Sequence, residues 1–237
     1  MVTGPVIAIE GASAAGKTTV ADAAGASTGW TVIPEAYRRL VPPPSLDFRT
    51  AGELLRLERT LLEEEARRYR EAFDRARAGA TVIVDSGFLG PLTYSFALVR
   101  AGTAPVGVLT SVITEARALG ERGEWGLADA YVYLDVPPEV RAVRAAADPA
   151  GAPAELAARH RAMGSIERSF YLDRFAPRWG PRFRVLPAAR PPAPVAEDLV
   201  RIVREFASIP RATVRLEDGL ALLADPRAPE GKARGNR

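Results

Sequence analysis

The sequence predicts an α/β fold in which helices cover both faces of a parallel β-sheet. Short apolar runs alternate with longer helical stretches along most of the chain, a pattern typical of a buried parallel sheet. The first apolar run also leads through a glycine-containing loop straight into a helix. At 237 residues, with 47% hydrophobic and 26% charged residues, the chain has the size and composition of one globular domain.

Five apolar runs, each short and bounded by proline, glycine or charged residues, are predicted as strands. The second run is cut off by Pro34, and the third ends in the carboxylate of Asp85. The fourth is stopped by Pro137 and Pro138. In chain order the predicted strands are residues 6–10, 30–34, 81–85, 131–136 and 183–186.

The stretches between these runs are predicted as helices because they carry apolar residues at helical spacing or are rich in helix formers. The longest begins after three prolines at 42–44, ends at Gly79 and repeats leucine and aromatic residues on one face. We expect that face to pack in the core, with a homodimer interface as the alternative. The predicted helices are residues 19–26, 48–78, 91–100, 108–119, 139–147, 154–175 and 195–207.

Composition excludes several functions. The chain has no cysteine and one histidine, His160, so disulfides, thiol catalysis and cysteine- or histidine-rich metal sites are excluded. No apolar run approaches the roughly 20 residues that span a membrane, and no basic segment opens the chain. We therefore expect a cytoplasmic protein without membrane contact. The net charge of +3 is scattered rather than gathered in a block, which argues against nucleic acid as the principal ligand.

Residues 11–18 read Gly-Ala-Ser-Ala-Ala-Gly-Lys-Thr, a complete phosphate-binding motif between a predicted strand and a predicted helix. Backbone N–H groups of such a loop converge on phosphate oxygens, and the helix N-terminus adds positive potential. Lys17 is expected to reach the β- and γ-phosphates, and the Thr18 hydroxyl to bind Mg²⁺. Only two of the 32 basic residues are lysines, which indicates that arginine does not replace Lys17. The predicted nucleotide-binding residues are Gly11, Ala12, Ser13, Ala14, Ala15, Gly16, Lys17, Thr18 and Thr19.

Carboxylates follow three further strands, at the sheet edge where parallel α/β proteins bind ligands. Glu35 follows the second strand and is predicted as the base that accepts an acceptor proton; the alternative is a glutamate favoured by a helix start. Asp85 ends the third strand and is predicted to bind Mg²⁺ or the acceptor, with helix capping as the alternative. Asp135 ends the fourth and is expected to cap a helix.

Arg159, Arg161 and Arg168 lie on one helical stretch, residues 154–175. Arg161 and Arg168 are seven residues apart and therefore share a helix face. Arginines in such positions can close over a triphosphate and stabilise charge in the transition state. We predict that Arg161 and Arg168 are catalytic, and we expect His160 at the surface or in a lid.

With these residues placed, the chain resembles the thymidylate kinase and deoxynucleoside kinase branch of P-loop kinases. The likeness extends over roughly residues 5–207. Four segments carry it: Ile-Ala-Ile-Glu-Gly at 7–11 running into Gly-Lys-Thr-Thr at 16–19, Asp85 with Tyr94, Tyr-Leu-Asp-Val-Pro-Pro-Glu-Val at 133–140, and Ile-Glu-Arg at 166–168 with Phe-Tyr at 170–171.

The resemblance implies a three-layer P-loop fold with five parallel strands in the order 2-3-1-4-5 and a mobile arginine-bearing lid at about 141–170. It implies ATP, Mg²⁺ and a small-molecule acceptor bound beside the second and third strands. Glu35 falls where deoxynucleoside kinases have their base. The kinase domain is predicted to span residues 1–207, and residues 208–237 to form an appendage with a disordered end.

The positions that bind the acceptor in thymidylate kinases differ in this chain. Those kinases have an arginine, an aromatic residue and a glutamine where this chain has Ser86, Gly87 and Ser95. The acceptor is therefore expected to be a nucleoside or another hydroxylated metabolite, such as an antibiotic. The residues predicted to bind it are Glu35, Tyr37, Arg38, Phe88 and Tyr94.

A second hypothesis is an ATPase or GTPase module that regulates a partner protein. The Pro-Glu-Ala at 34–36 is similar to the second-strand end of small AAA-type NTPases. The sequence has no Asn-Lys-x-Asp guanine motif. The likeness of the fourth strand and the lid to kinases favours the first hypothesis.

Overall fold

A computed structural model describes residues 3–147, 154–210 and 214–226, and within them five parallel strands form one sheet. The strands are β1 (Val6–Glu10), β2 (Thr31–Ile33), β3 (Val82–Asp85), β4 (Ala130–Asp135) and β5 (Phe183–Pro187). Their order across the sheet is β2-β3-β1-β4-β5, which confirms the prediction. The strand bounds agree with the predicted ones to within one residue at each end.

Helices connect the strands. They are α1 (Lys17–Thr28), α2 (Ala36–Arg39), α3 (Ala51–Arg77), α4 (Gly90–Arg100), α5 (Val106–Glu121), α6 (Pro138–Ala146), α7 (Ala154–Ser169), α8 (Ala176–Trp179), α9 (Pro192–Phe206) and α10 (Leu216–Ala224). A π-helical turn, Phe170–Phe175, joins α7 to α8. Proline lies in the first turn of α4, α6 and α9, where its fixed φ and missing N–H cost nothing.

Both faces of the sheet are buried. On β1, Val6 and Ala8 pack into one cluster of apolar side chains, and Ile7 and Ile9 pack into a second cluster on the opposite face. The helices α3, α4, α5 and α10 contribute to the first cluster, and α1 and α9 to the second. This three-layer arrangement explains why the strands are continuous apolar runs.

The long helix α3 has 27 residues, or about 40 Å at 1.5 Å per residue. It begins with a capping box between Thr50 and Glu53, and the chain turns at Gly79, whose φ is +96°. Buried residues extend from Leu54 to Ala76, so the helix packs into the core along its length. The apolar face predicted for the core is there, but α3 also buries charged residues that its hydropathy pattern did not indicate.

The predicted appendage contains α10, which buries Leu220 and Leu223 in the same cluster as α5. The domain boundary at residue 207 stays a prediction. Residues 148–153 of the predicted lid, and residues 211–213 and 227–237 of the predicted appendage with its disordered end, lie outside the described residues. Within the described ranges, no helix combines the length and the apolar character needed to cross a membrane.

Candidate active site

The phosphate-binding loop connects β1 to α1, and its backbone takes conformations that depend on small residues. Gly11, Ala14 and Gly16 have φ values of +147°, +62° and +91°. A Cβ at Gly11 would lie 2.9 Å from the carbonyl oxygen of Leu134, so strand β4 leaves no room for a side chain. Lys17 Nζ donates to the Gly11 carbonyl at 2.8 Å, which holds the ammonium group over the loop.

Two predicted metal-binding residues meet beside this loop. The Thr18 hydroxyl donates to Asp85 Oδ2 at 2.7 Å, although the residues are 67 positions apart. Asp85 is 1% exposed, and its Oδ1 has no hydrogen-bond partner. Buried Arg68 donates to the carbonyl oxygens of Asp85 and Ser86, at 2.7 and 2.8 Å, and so fixes the end of β3.

This donor set fits a hard, oxygen-preferring cation such as Mg²⁺. Hydroxyl and carboxylate oxygens are its preferred protein ligands, and Asp85 Oδ1 is a buried acceptor that lacks a partner. Among the residues that the structure describes, no group of three or more acidic, histidine or cysteine side chains could hold a metal. A magnesium ion here would therefore share its coordination with phosphate oxygens and water.

A cavity of about 1080 Å³ surrounds the loop on the side of α6 and the β5–α9 connection. Arg161 and Arg38 line it, and the catalytic role of Arg161 stays a prediction. Arg144 also lines it and links the phosphate loop to the β5–α9 connection. Its Nη1 donates to the Ala15 carbonyl at 2.9 Å, and its Nη2 donates to the Ala188 carbonyl at 2.8 Å. The role of Arg144 was not predicted.

A second cavity of about 360 Å³ lies between α2, α4 and α7. Glu35, Tyr37 and Tyr94, which were predicted to bind the acceptor, line it. Arg38 of the same prediction lines the first cavity, and acceptor binding stays a prediction. The two cavities share four lining residues, Ser13, Lys17, Glu35 and His160. His160 is thus at the junction of two cavities rather than at the outer surface; burial and the charge of nearby Arg159 lower its pKa.

Phe88 does not line either cavity, contrary to the prediction. The chain turns at Ser86, whose φ of +58° is left-handed, and the Phe88 side chain then lies fully buried in the core. Its ring packs edge-on against Tyr69 at a centroid distance of 5.3 Å. Apolar packing of a large aromatic ring accounts for this position.

Arg168 pairs with Asp135 and lines a further cavity of about 490 Å³, which Ala12 of the phosphate loop also lines; the catalytic role of Arg168 stays a prediction. Its Nε and Nη2 each donate to one carboxylate oxygen of Asp135 at 2.8 Å, and this pairing lowers the pKa of Asp135. A bidentate pair fixes the guanidinium at the end of β4. The expected capping role of Asp135 is wrong, since Pro137 is the N-cap of α6 and no side chain caps it.

Three carboxyl groups line the second cavity and were not predicted; Glu10 and Glu65 are buried, and Glu167 is partly buried. Burial raises the pKa of Glu10 to about 8, and the charge of Lys17 partly offsets this rise. Burial likewise raises the pKa of Glu65 to about 7, against the opposing charge of Arg68. Burial raises the pKa of Glu167 to about 7, with Lys17 and Arg141 opposing. In the sequence, the feature that could have indicated this acidic lining is the position of Glu10 at the end of the first strand.

The fold and the loop define the chain as a P-loop nucleoside-triphosphate-binding protein. Residues 6–164, more than half of the chain, match the AAA_28 family, which is described as an AAA domain. The chain belongs to that family. No matching relative was found among curated proteins.

Solved structures of deoxyadenosine kinase from M. mycoides share the fold. One with bound dCTP has 15% sequence identity and a TM-score of 0.61, over 86% of this chain and 100% of that one. One with dCMP and dCDP has 14% identity and a TM-score of 0.60, over 85% and 99%. One with bound dATP has 15% identity and a TM-score of 0.56, over 86% and 100%. These matches confirm the predicted likeness to deoxynucleoside kinases at the level of the fold.

Proposed function

We propose that this protein is a kinase that uses ATP and Mg²⁺ to phosphorylate a hydroxyl or a monophosphate of a small, nucleoside-like or antibiotic-like acceptor. The supporting observation is the junction of two cavities at Lys17 and Glu35. A nucleotide on the phosphate loop would direct its γ-phosphate to Lys17. The second cavity opens at the same residue, which is the arrangement that transfer between two bound molecules needs.

On the donor side, the loop amides and Lys17 hold the phosphates, and Arg161 and Arg144 line the same cavity. Thr18 and Asp85 would hold Mg²⁺, which when bound neutralises charge on the phosphate oxygens. Asp85 is well placed for this role because Arg68 fixes its backbone from behind. Arginines beside the phosphates stabilise the charge that spreads over the transferred group.

On the acceptor side, Glu35 accepts the proton that the attacking hydroxyl loses. Its Oε1 accepts a hydrogen bond from Arg38 Nε at 3.0 Å, which orients the carboxylate. The Glu35 side chain is 30% exposed and lines both cavities, so it is accessible to an acceptor and close to the phosphate site. Tyr37 and Tyr94 provide aromatic surface for the acceptor.

The family assignment favours a second candidate, an NTPase that controls a partner protein. In that case nucleotide hydrolysis would need no small acceptor, and a partner would change its rate. The four lining residues that the cavity at the phosphate loop shares with the cavity of the candidate base favour the kinase.

The test is product analysis with purified protein, ATP and Mg²⁺. Nucleosides, nucleoside monophosphates and aminoglycosides are supplied one at a time, and phosphorylated acceptor and ADP are measured by mass spectrometry. The kinase proposal predicts equal amounts of ADP and phosphorylated acceptor with at least one compound. Hydrolysis at the same rate with every compound, without a phosphorylated product, would favour the NTPase.

A further inference from the structure

The second cavity has a strongly acidic lining. Four carboxyl groups face it, from Glu10 on β1, Glu35 at the start of α2, Glu65 on α3 and Glu167 on α7. Among its described lining residues, the basic ones are Lys17 and His160. Burial and the nearby charges of Arg159 and Lys17 keep the pKa of His160 below its usual value, so it adds little positive charge.

Two of the carboxyl groups have their own cations. Glu65 pairs with buried Arg68 on the same helix, and Glu35 pairs with Arg38. Arg159 lies at the edge of the cavity, where its guanidinium stacks on Phe48 at 4.5 Å and donates to the Leu46 carbonyl. It partly offsets the rise that burial causes in the pKa of Tyr94, but within the described part of the chain it forms no ion pair with any of the four carboxyl groups.

The other two carboxyl groups, those of Glu10 and Glu167, have Lys17 as their main counter-charge. It is the leading cation acting on each of them, and it is also the residue that a bound triphosphate engages. Once phosphates occupy the loop, these two carboxyl groups lose their main counter-charge.

The second, independent observation is an unpaired buried atom. Glu10 is 5% exposed and lines the cavity, and the neighbouring Tyr171 hydroxyl partly offsets the rise that burial causes in the pKa of its carboxyl group. Its Oε1 nevertheless has no hydrogen-bond partner among the residues that the structure describes. A Cβ at Gly87 would lie 2.1 Å from this oxygen, so the glycine provides the room in which the carboxyl group lies. A buried acceptor left unpaired is costly, and a ligand that donates to it removes the cost.

We propose that the acceptor is an alcohol carrying a protonated amine, which Glu10 and Glu167 bind, and not a phosphate monoester. An ammonium group has only hydrogen-bond donors, so it can donate to Glu10 Oε1. It also brings a positive charge to the cavity, which replaces that of Lys17 once the triphosphate binds this lysine. A phosphate monoester would bring like charge to Glu35 and to the triphosphate, and it has no positive charge with which to stabilise Glu10 or Glu167 in the ionised form. This inference rests on the proposed kinase function and narrows its acceptor to one chemical class.

The test is calorimetric binding to the full chain loaded with Mg²⁺ and a non-hydrolysable ATP analogue. The probes form matched sets: glucose, glucosamine and glucose 6-phosphate, then adenosine, its 3′-amino analogue and its 3′-monophosphate, with kanamycin as a polyamine. We expect an amine-bearing compound to bind at least about tenfold more tightly than its neutral analogue. We expect its binding to release protons from the carboxyl groups, seen as a buffer-dependent heat, and the phosphate esters not to bind. Tighter binding of a phosphate ester, or no binding by any amine-bearing compound, would overturn the proposal.

A matched pair of variants separates recognition from folding. Glu167→Gln should weaken binding of the amine-bearing compound about tenfold and leave its neutral analogue and the ATP analogue unchanged, whereas exposed Glu63→Gln should change none of them. Equal losses for amine-bearing and neutral compounds would contradict the assigned role. If amine-bearing compounds bind but no phosphate is transferred, the kinase proposal fails and this inference stands. If phosphate is transferred to a phosphate ester, the kinase proposal stands and this inference fails.

Discussion

Replacing Glu10 by glutamine should make the ligand-free protein more stable relative to the wild type as the pH rises. The pKa of Glu10 is raised from 4.5 to about 8 because the folded protein buries the carboxyl group. The folded state therefore holds this proton more tightly than the unfolded chain, and its stabilising effect is complete only below pH 4.5. It is lost as the pH rises towards 8. Glutamine resembles the protonated form in shape and does not titrate, so the variant escapes this loss.

The size of the effect follows from the two pKa values. At about 1.36 kcal/mol for each pH unit, the full difference is on the order of 5 kcal/mol, and about 3 kcal/mol of it develops between pH 5.5 and 8.5. Urea unfolding of both proteins across this range measures it, with exposed Glu63→Gln as the control that should give a constant difference. A Glu10→Gln difference that stays constant across the range would refute the assignment of Glu10 as a buried, protonated carboxyl group.

Three further substitutions test the site. Glu35→Gln should lower kcat by about 10²–10⁴ with little change in ATP affinity; steady-state kinetics and nucleotide titration check this, and equal losses would point to a structural role. Asp85→Asn should raise the Mg²⁺ concentration needed for half-maximal activity at least about tenfold, and an unchanged magnesium dependence would contradict the metal role. Arg68→Met should lower the free energy of unfolding by about 3–5 kcal/mol because it leaves buried Glu65 without its cation; urea unfolding measures this, and a wild-type midpoint would count against it.

The sheet and the phosphate loop could be predicted because their signals are local. The three central strands, β1, β3 and β4, are apolar runs buried on both faces, and the loop motif occupies eight consecutive residues. The meeting of Thr18 with Asp85 could also be predicted, because Asp85 ends β3 and Thr18 follows the loop at the carboxyl end of the adjacent strand β1. These inferences need only the chain order and the topology of a parallel sheet.

The acidic cavity could not be predicted in this way. Hydropathy treats charged residues on α3 as solvent-facing, yet Glu65 and Arg68 are buried because they pair with each other and Arg68 binds the carbonyls that follow β3. Phe88 and Arg168 were predicted from their neighbours in sequence. Their positions are decided by distant partners, the core around Tyr69 and the carboxylate of Asp135. Such pairings depend on tertiary contacts that one sequence does not display.

The most direct test of the proposed function is the effect of Lys17→Ala on acceptor-dependent phosphate transfer. The chain has one other lysine, so Lys232→Ala is a matched control for the loss of a lysine. We expect Lys17→Ala to abolish formation of phosphorylated acceptor, by at least about a hundredfold, while the thermal unfolding midpoint stays near that of the wild type. The Lys232→Ala variant should retain full activity. Undiminished transfer by a folded Lys17→Ala protein would contradict the phosphate-loop account on which every other assignment depends.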